Sequence, residues 1–177
     1  VTVEVVYRAA TDTAYTVKHM LQDVTGDGYT EDAAARQTLH GTTGAATNAA
    51  ANTYTGFTAQ AVAQQVIAAD GKTVVEIKYD RNVNAITYKV TGGFFANDSY
   101  KVVENVRFGT PLSLIGDDME KQGYVWHGWA GLPKTMPDGA VEVMGYYTAA
   151  TDTAYKVEHY LQNLADDEYT LKATVPI

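Results

Sequence analysis

Over residues 15–21 the chain alternates, with Tyr15, Val17, His19 and Leu21 on one side and Thr16, Lys18 and Met20 on the other. A period of two marks a strand buried on one face. Asp27-Gly28 follows and predicts a tight turn, and the alanine-rich residues 48–52 predict a short helical turn. Residues 65–68 and 73–79 flank Asp70-Gly71, a dipeptide that strongly favours a two-residue hairpin. Residues 86–90 and 100–106 read as strands. Residues 111–121, rich in carboxylates, read as one helix that Gly123 would stop. In 123–129, Tyr124 and Trp126 share a face, but Trp129 comes three positions later with Gly128 between, a change of phase that suggests a bulge. Asp138-Gly139 is another turn, and 140–147 a last strand. Strands with one helix imply an α+β, β-rich fold built of small grasp-like modules.

Internal repetition organises these elements. AATDTAYTVKHMLQDVTGDGYT (9–30) and AATDTAYKVEHYLQNLADDEYT (149–170) share 14 of 22 positions at an offset of 140. The offset continues upstream, aligning Val1, Val3 and Tyr7 with Val141, Val143 and Tyr147. VVEIKYDRNVNAITYKV (74–90) echoes the scheme of strand, short polar link and new strand, and splits the period into two unlike modules. Four segments are therefore expected: 1–8 as the last strand of a preceding module, 9–81 and 82–148 as complete modules, and 149–177 as the truncated start of the next. Two strands cannot close a core, so 149–177 should pair with residues 1–8 or with another chain.

At these residues two families are met. Residues 15–81, through YTVKHMLQDVTGDGYT, HGTTGAAT, GFTAQ and IAADGKTVVEIKYDR, resemble a MucBP-type module, named for mucin-binding proteins. Residues 82–148, through ITYKV, FGTPL, GYVWHGW and LPKTMPDGAVEVMGYY, resemble the Listeria-Bacteroides repeat of internalin B-repeats. The segment TGGFFANDSY is longer and more aromatic than the glycine-rich turn usual there. The resemblance implies tandem ubiquitin-like β-grasp modules in an elongated array, on an extracellular protein at the cell wall or cell surface of a Gram-positive bacterium. It implies a non-catalytic stalk or spacer or, alternatively, an adhesion module for mucin glycan or a host protein. Neighbouring modules of the same protein are the expected partners.

Composition narrows the classes further. There is no cysteine, so disulfides and thiolate sites are excluded. A formal charge of −8 repels phosphate backbones, so nucleic acid is not an expected partner. No apolar run approaches the roughly 18 residues that span a bilayer, so no membrane insertion is expected in this segment.

No set of reactive residues makes an enzyme. Ser99 and Ser113 are the only serines, and neither sits in a G-x-S-x-G elbow. His40-Gly41 resembles an oxyanion-hole turn without a nucleophile to serve. His19 and His159 recur at equivalent strand positions with no second ligand at metal spacing. Asp23, Thr25 and Asp27-Gly28 open like a calcium loop, but Ala34 stands where the bidentate acid belongs, and the second copy has Asn163, Ala165, Asp167 and Glu168. Asp117, Asp118 and Glu120 fall together on the expected helix, where a solvated face outweighs an acid–base pair. Asn97-Asp98-Ser99 fits a glycosylation sequon, which a bacterial origin would leave idle. Catalytic, cofactor and metal residues are therefore none; the candidate ligand contacts are the aromatics Phe94, Phe95 and Trp126. Tyrosines 7, 79 and 147, and 15, 88 and 155, recur at module ends and starts, as packing positions in an array should.

Overall fold

The computed structural model describes residues 2–92, 95–116 and 120–176, and the side chains of 92–100 lie outside that description. The first sheet contains β1 (Thr13–Gln22), β2 (Tyr29–Glu31), β3 (Gln37–Gly41), β4 (Phe57–Ala59) and β5 (Val74–Arg81). Its order is β2-β1-β5-β4, with β3 also on β1. The second contains β6 (Val83–Gly92), β7 (Phe95–Arg107), β8 (Tyr124–Ala130) and β9 (Val141–Ala149), in the order β7-β6-β9-β8. In both sheets the first and last strands lie side by side and parallel, and the strands between them in sequence pair antiparallel at the flanks.

Alternation sets what each sheet buries. Tyr15, Val17 and His19 of β1 meet Val75, Ile77 and Tyr79 of β5, and with Ala49 and Ile67 they make the first core. Ile86 and Tyr88 of β6, Val141 and Val143 of β9, and Met136 make the second. The recurring tyrosines divide accordingly: Tyr15, Tyr79, Tyr88 and Tyr147 are buried, whereas Tyr7 and Tyr155 are 91% and 60% exposed.

The α+β expectation is overturned. The chain is 49% strand and 2% helix, the latter a single 3-10 turn at Ala33–Ala35, so the class is all-β with mixed sheets. Among the described residues of 111–121 there is no helix. Their backbone is committed to a cross-pairing instead: Leu112 N donates to Lys134 O, Met136 N to Thr110 O, and Pro111 bridges Thr135. Gly116 lowers helix propensity there by about 1 kcal/mol relative to alanine. Residues 48–52 are not helical either. Tyr15 Oη accepts from Asn48 N and Tyr79 Oη from Asn52 N, while the Gln64 carboxamide accepts from Ala49 N and donates to Ala49 O. Irregular chain thus covers each sheet where a helix was expected.

Asp70-Gly71 makes its turn, with Gly71 at φ +69° and Lys72 N on Asp70 Oδ1, but no hairpin results. Val66 bridges Ala46, and β5 goes to β1. The bulge in β8 is present: pairing with β9 skips between Trp126 and Trp129, and Gly128 takes φ +87°.

β10 (Lys156–Gln162) and β11 (Tyr169–Pro176) form a separate hairpin. Its register at 160–162 and 169–171 reproduces that of β1 with β2, residue for residue at the offset of 140. Residues 2–8 are exposed and in no strand, so among the described residues the expected pairing of 149–177 with residues 1–8 of the same chain is not formed.

Gly145 carries a clear packing prediction. A Cβ there would overlap the Trp126 ring and lie 2.8 Å from Trp129 Cε3. Gly145→Ala should destabilise the second sheet by about 1–3 kcal/mol, read as a lower denaturant midpoint in tryptophan fluorescence, since both tryptophans sit on β8. An unchanged midpoint would refute this packing.

Candidate functional site

A densely bonded polar region joins the two sheets. β5 ends at Arg81 and β6 begins at Val83, so Asn82 alone separates them. Every hydrogen-bonding group of Asn82 is engaged. Its N donates to Gly56 O (2.9 Å), and its carbonyl accepts from Phe108 N (2.8 Å). Its Nδ2 donates to Asp138 Oδ1 (2.8 Å), and its Oδ1 accepts from Thr58 Oγ1 (2.7 Å). Asp138 Oδ2 also accepts from Gly56 N (3.2 Å), so one carboxylate from the second module holds backbone and linker of the first.

Arg81 reaches both sides. Nε donates to Gln22 O (2.7 Å), Nη1 to Phe108 O (2.9 Å), and the guanidinium lies 4.7 Å from the Phe57 ring centre. Phe108 packs edge-on to Phe57 at 5.9 Å and covers Gly56, where any Cβ would overlap its ring. Arg107 donates to Gly26 O and Asp27 Oδ1, binding the second module to the β1–β2 turn. A cleft of about 440 Å³ opens here, lined in part by Thr58, Asp80, Asn82 and Asp138. Of these four, Thr58, Asn82 and Asp138 bond one another, and Asp80 accepts from Tyr29 and Gln60. The arrangement ties the two sheets together through Asn82, Asp138 and Arg81.

A second polar cluster lies inside the first core. His19 is 0% exposed, with Nδ1 2.6 Å from Tyr79 Oη and Nε2 3.4 Å from Asn52 Nδ2. Tyr79 Oη also accepts from Asn52 N, so the phenol joins the buried ring to the covering chain. Burial lowers the His19 pKa and Asp32 opposes that shift; burial raises the Tyr79 phenol. The ring is a neutral core histidine.

Of the three aromatics expected from sequence, Trp126 alone has a described side chain. Phe94 lies outside the described residues, as does the side chain of Phe95, whose backbone belongs to β7. Trp126 is half-buried, 4.8 Å from the Tyr147 ring and 5.0 Å from Trp129, packed over Gly145. Asp117 and Asp118 lie outside the described residues, as do the side chains of Asn97, Asp98 and Ser99. Asp23 Oδ1 accepts from Thr30 Oγ1 and its N–H donates to Gly28 O, closing the loop that resembled a calcium site, and Asp27 turns to Arg107. His40 pairs with Asp12 at 2.9 Å, and His159 is exposed. Among the described residues no three metal-ligating side chains cluster.

Sequence reasoning placed a boundary near Arg81 but missed the clamp. Its parts come from GFTAQ, KYDR, FGTPL and the PDG turn, and bonded partners lie up to 82 positions apart, so that only folding joins them. No protein-family model matches the chain, and no curated protein sequence matches it.

Because the His19 pKa lies below its ordinary value of 6.5, the unfolded chain binds the extra proton more readily. Stability of the first sheet should therefore be full above 6.5 and fall as pH drops below it, toward the folded-state pKa. Chemical denaturation across that range should show a shallower fall in His19→Gln than in the parent. Parallel profiles would assign the pH dependence elsewhere.

Proposed function

We propose that residues 9–148 are a non-catalytic spacer within a bacterial cell-surface protein, a piece of a stalk that holds other domains away from the cell wall. The carrying observation is the single-residue link at Asn82 with bonds to both modules. Flexible tethers leave linker backbone to water and gain reach through length. Here the linker is one residue and its polar groups are occupied, an arrangement suited to transmitting orientation. The MucBP-like and Listeria-Bacteroides-like motifs support the same reading, since both families occur in tandem on exported proteins. The repeat at an offset of 140 supports it too. For the adhesion alternative, Trp126 is the one candidate aromatic with a described side chain, and its ring serves the packing over Gly145.

The test uses the absence of native cysteine. Spin labels at Thr38→Cys on β3 and Glu104→Cys on β7, both at exposed positions, should report one narrow inter-label distance. Asp138→Ala removes both bonds of that carboxylate across the junction and should broaden the distribution while both modules stay folded. A broad distribution in the parent would remove the spacer's mechanical basis. Saturable, salt-stable binding of residues 9–148 on a mucin glycan array would replace the spacer reading with adhesion.

A further inference from the structure

The covalent path through the two modules runs from strand to strand. It enters the first sheet at the start of β1 (Thr13) and leaves at the end of β5 (Arg81). Through Asn82 it enters the second sheet at the start of β6 (Val83) and leaves at the end of β9 (Ala149). In each sheet these two strands are parallel neighbours: Thr16 to Leu21 stand against Val74 to Tyr79, and Ile86 to Thr91 against Val141 to Tyr146. Entry and exit therefore lie at opposite ends of one ladder. Tension along the chain slides the two strands past each other and loads every rung together. In a hairpin, entry and exit share an end, and the rungs open in turn.

The β1–β5 ladder is fastened at both ends and shielded between them. At the entry end Thr16 N donates to Thr73 O (2.9 Å). At the exit end Arg81 N donates to Gln22 Oε1 (2.9 Å) and Arg81 Nε to Gln22 O (2.7 Å). Between them Val17, His19, Val75, Ile77 and Tyr79 are no more than 1% exposed, so water on that face cannot replace a rung as it breaks. The contact of His19 Nδ1 with Tyr79 Oη (2.6 Å) also crosses from β1 to β5. In the second sheet Val90 and Val143 are buried on the ladder, and the Lys89–Glu142 ion pair crosses from β6 to β9. β2, β3, β4, β7 and β8 flank the loaded pairs and lie off the path.

We propose that the two modules bear tension, with β1–β5 and β6–β9 acting as shear clamps in series. A pull along the chain passes from β1 to β5, through Asn82, and from β6 to β9, and each sheet resists as one unit. The single-residue link leaves no slack between the clamps. Resistance under load is set by the rate of unfolding, which rises only when a whole ladder has slipped. The clamps rest on the spacer reading for the source of the load, while their strength depends on strand order alone.

Optical-tweezer pulling of the 177-residue chain, tethered through introduced cysteines at exposed positions, compares two directions of load. Asp12→Cys with Asp152→Cys loads both ladders in shear. Asp12→Cys with Lys72→Cys pulls at the end where β1 and β5 both start, and peels them apart. Shear should give two length increments of about 22 nm, one for each module. Both should occur at about twice the peeling force or more, because the rungs fail together. Gln22→Ala removes a bond to Arg81 at the exit end. It should shorten the lifetime of one shear event about threefold or more and leave peeling unchanged, since peeling reaches that end last. Equal forces in the two directions, or an equal effect of Gln22→Ala on both, would overturn the clamps. A broad spin-label distance with the difference between shear and peeling intact would instead remove the spacer reading alone.

Discussion

The parallel pairing of first and last strand, β1 with β5 and β6 with β9, is the constraint on which the rest depends. Parallel neighbours cannot be joined by a hairpin; the chain must leave the sheet and cross back. The crossing segments supply the cover over each core, through Ala49 and Ile67 in one module and Met136 in the other. The same pairing puts the last strand of one module in the middle of its sheet. β5 therefore runs through Asn82 directly into β6, itself central in the next sheet. Loops on both sides of that passage then lie close enough to grip it.

Cover without helices poses a hydrogen-bond problem, because irregular chain has no ladder of its own to occupy its amides. Side chains on the sheet and in the covering chain solve it. The phenols of Tyr15 and Tyr79 accept from Asn48 and Asn52, and Gln64 bonds both backbone groups of Ala49 as a neighbouring strand would. Among the described residues no buried side-chain polar atom is left without a partner. His19 belongs to this economy: Tyr79, which serves the cover, also serves the ring beneath it.

Legibility in the sequence followed range. The alternation of β1, the phase change in β8 and the turn at Asp70-Gly71 are local, and local sterics decide them. The helix expected over 111–121 came from a composition that suits helices equally well as exposed loops, and the pairing of Leu112 with Lys134 settled the matter. Asp138 read as a turn residue because half of its role lies in its bonds to Gly56 and Asn82. The period of 140 revealed modules without revealing what holds them together.

The two copies of one motif separate the contributions. β1–β2 and β10–β11 share their register, the bond from residue 23 or 163 to 28 or 168, and the threonine bond that closes the loop. Those features follow from the residues themselves, since the partners are within a few positions and turn geometry sets the pairing. Burial does not follow. His19 is fully buried and its counterpart His159 exposed, as are Tyr15 and Tyr155, because the first hairpin has β5 beside it and Ala49 and Ile67 packed over it. Sequence alone determined the strand, the turn and the register; the tertiary structure decided which face became a core, because only distant segments supply the surface that excludes water.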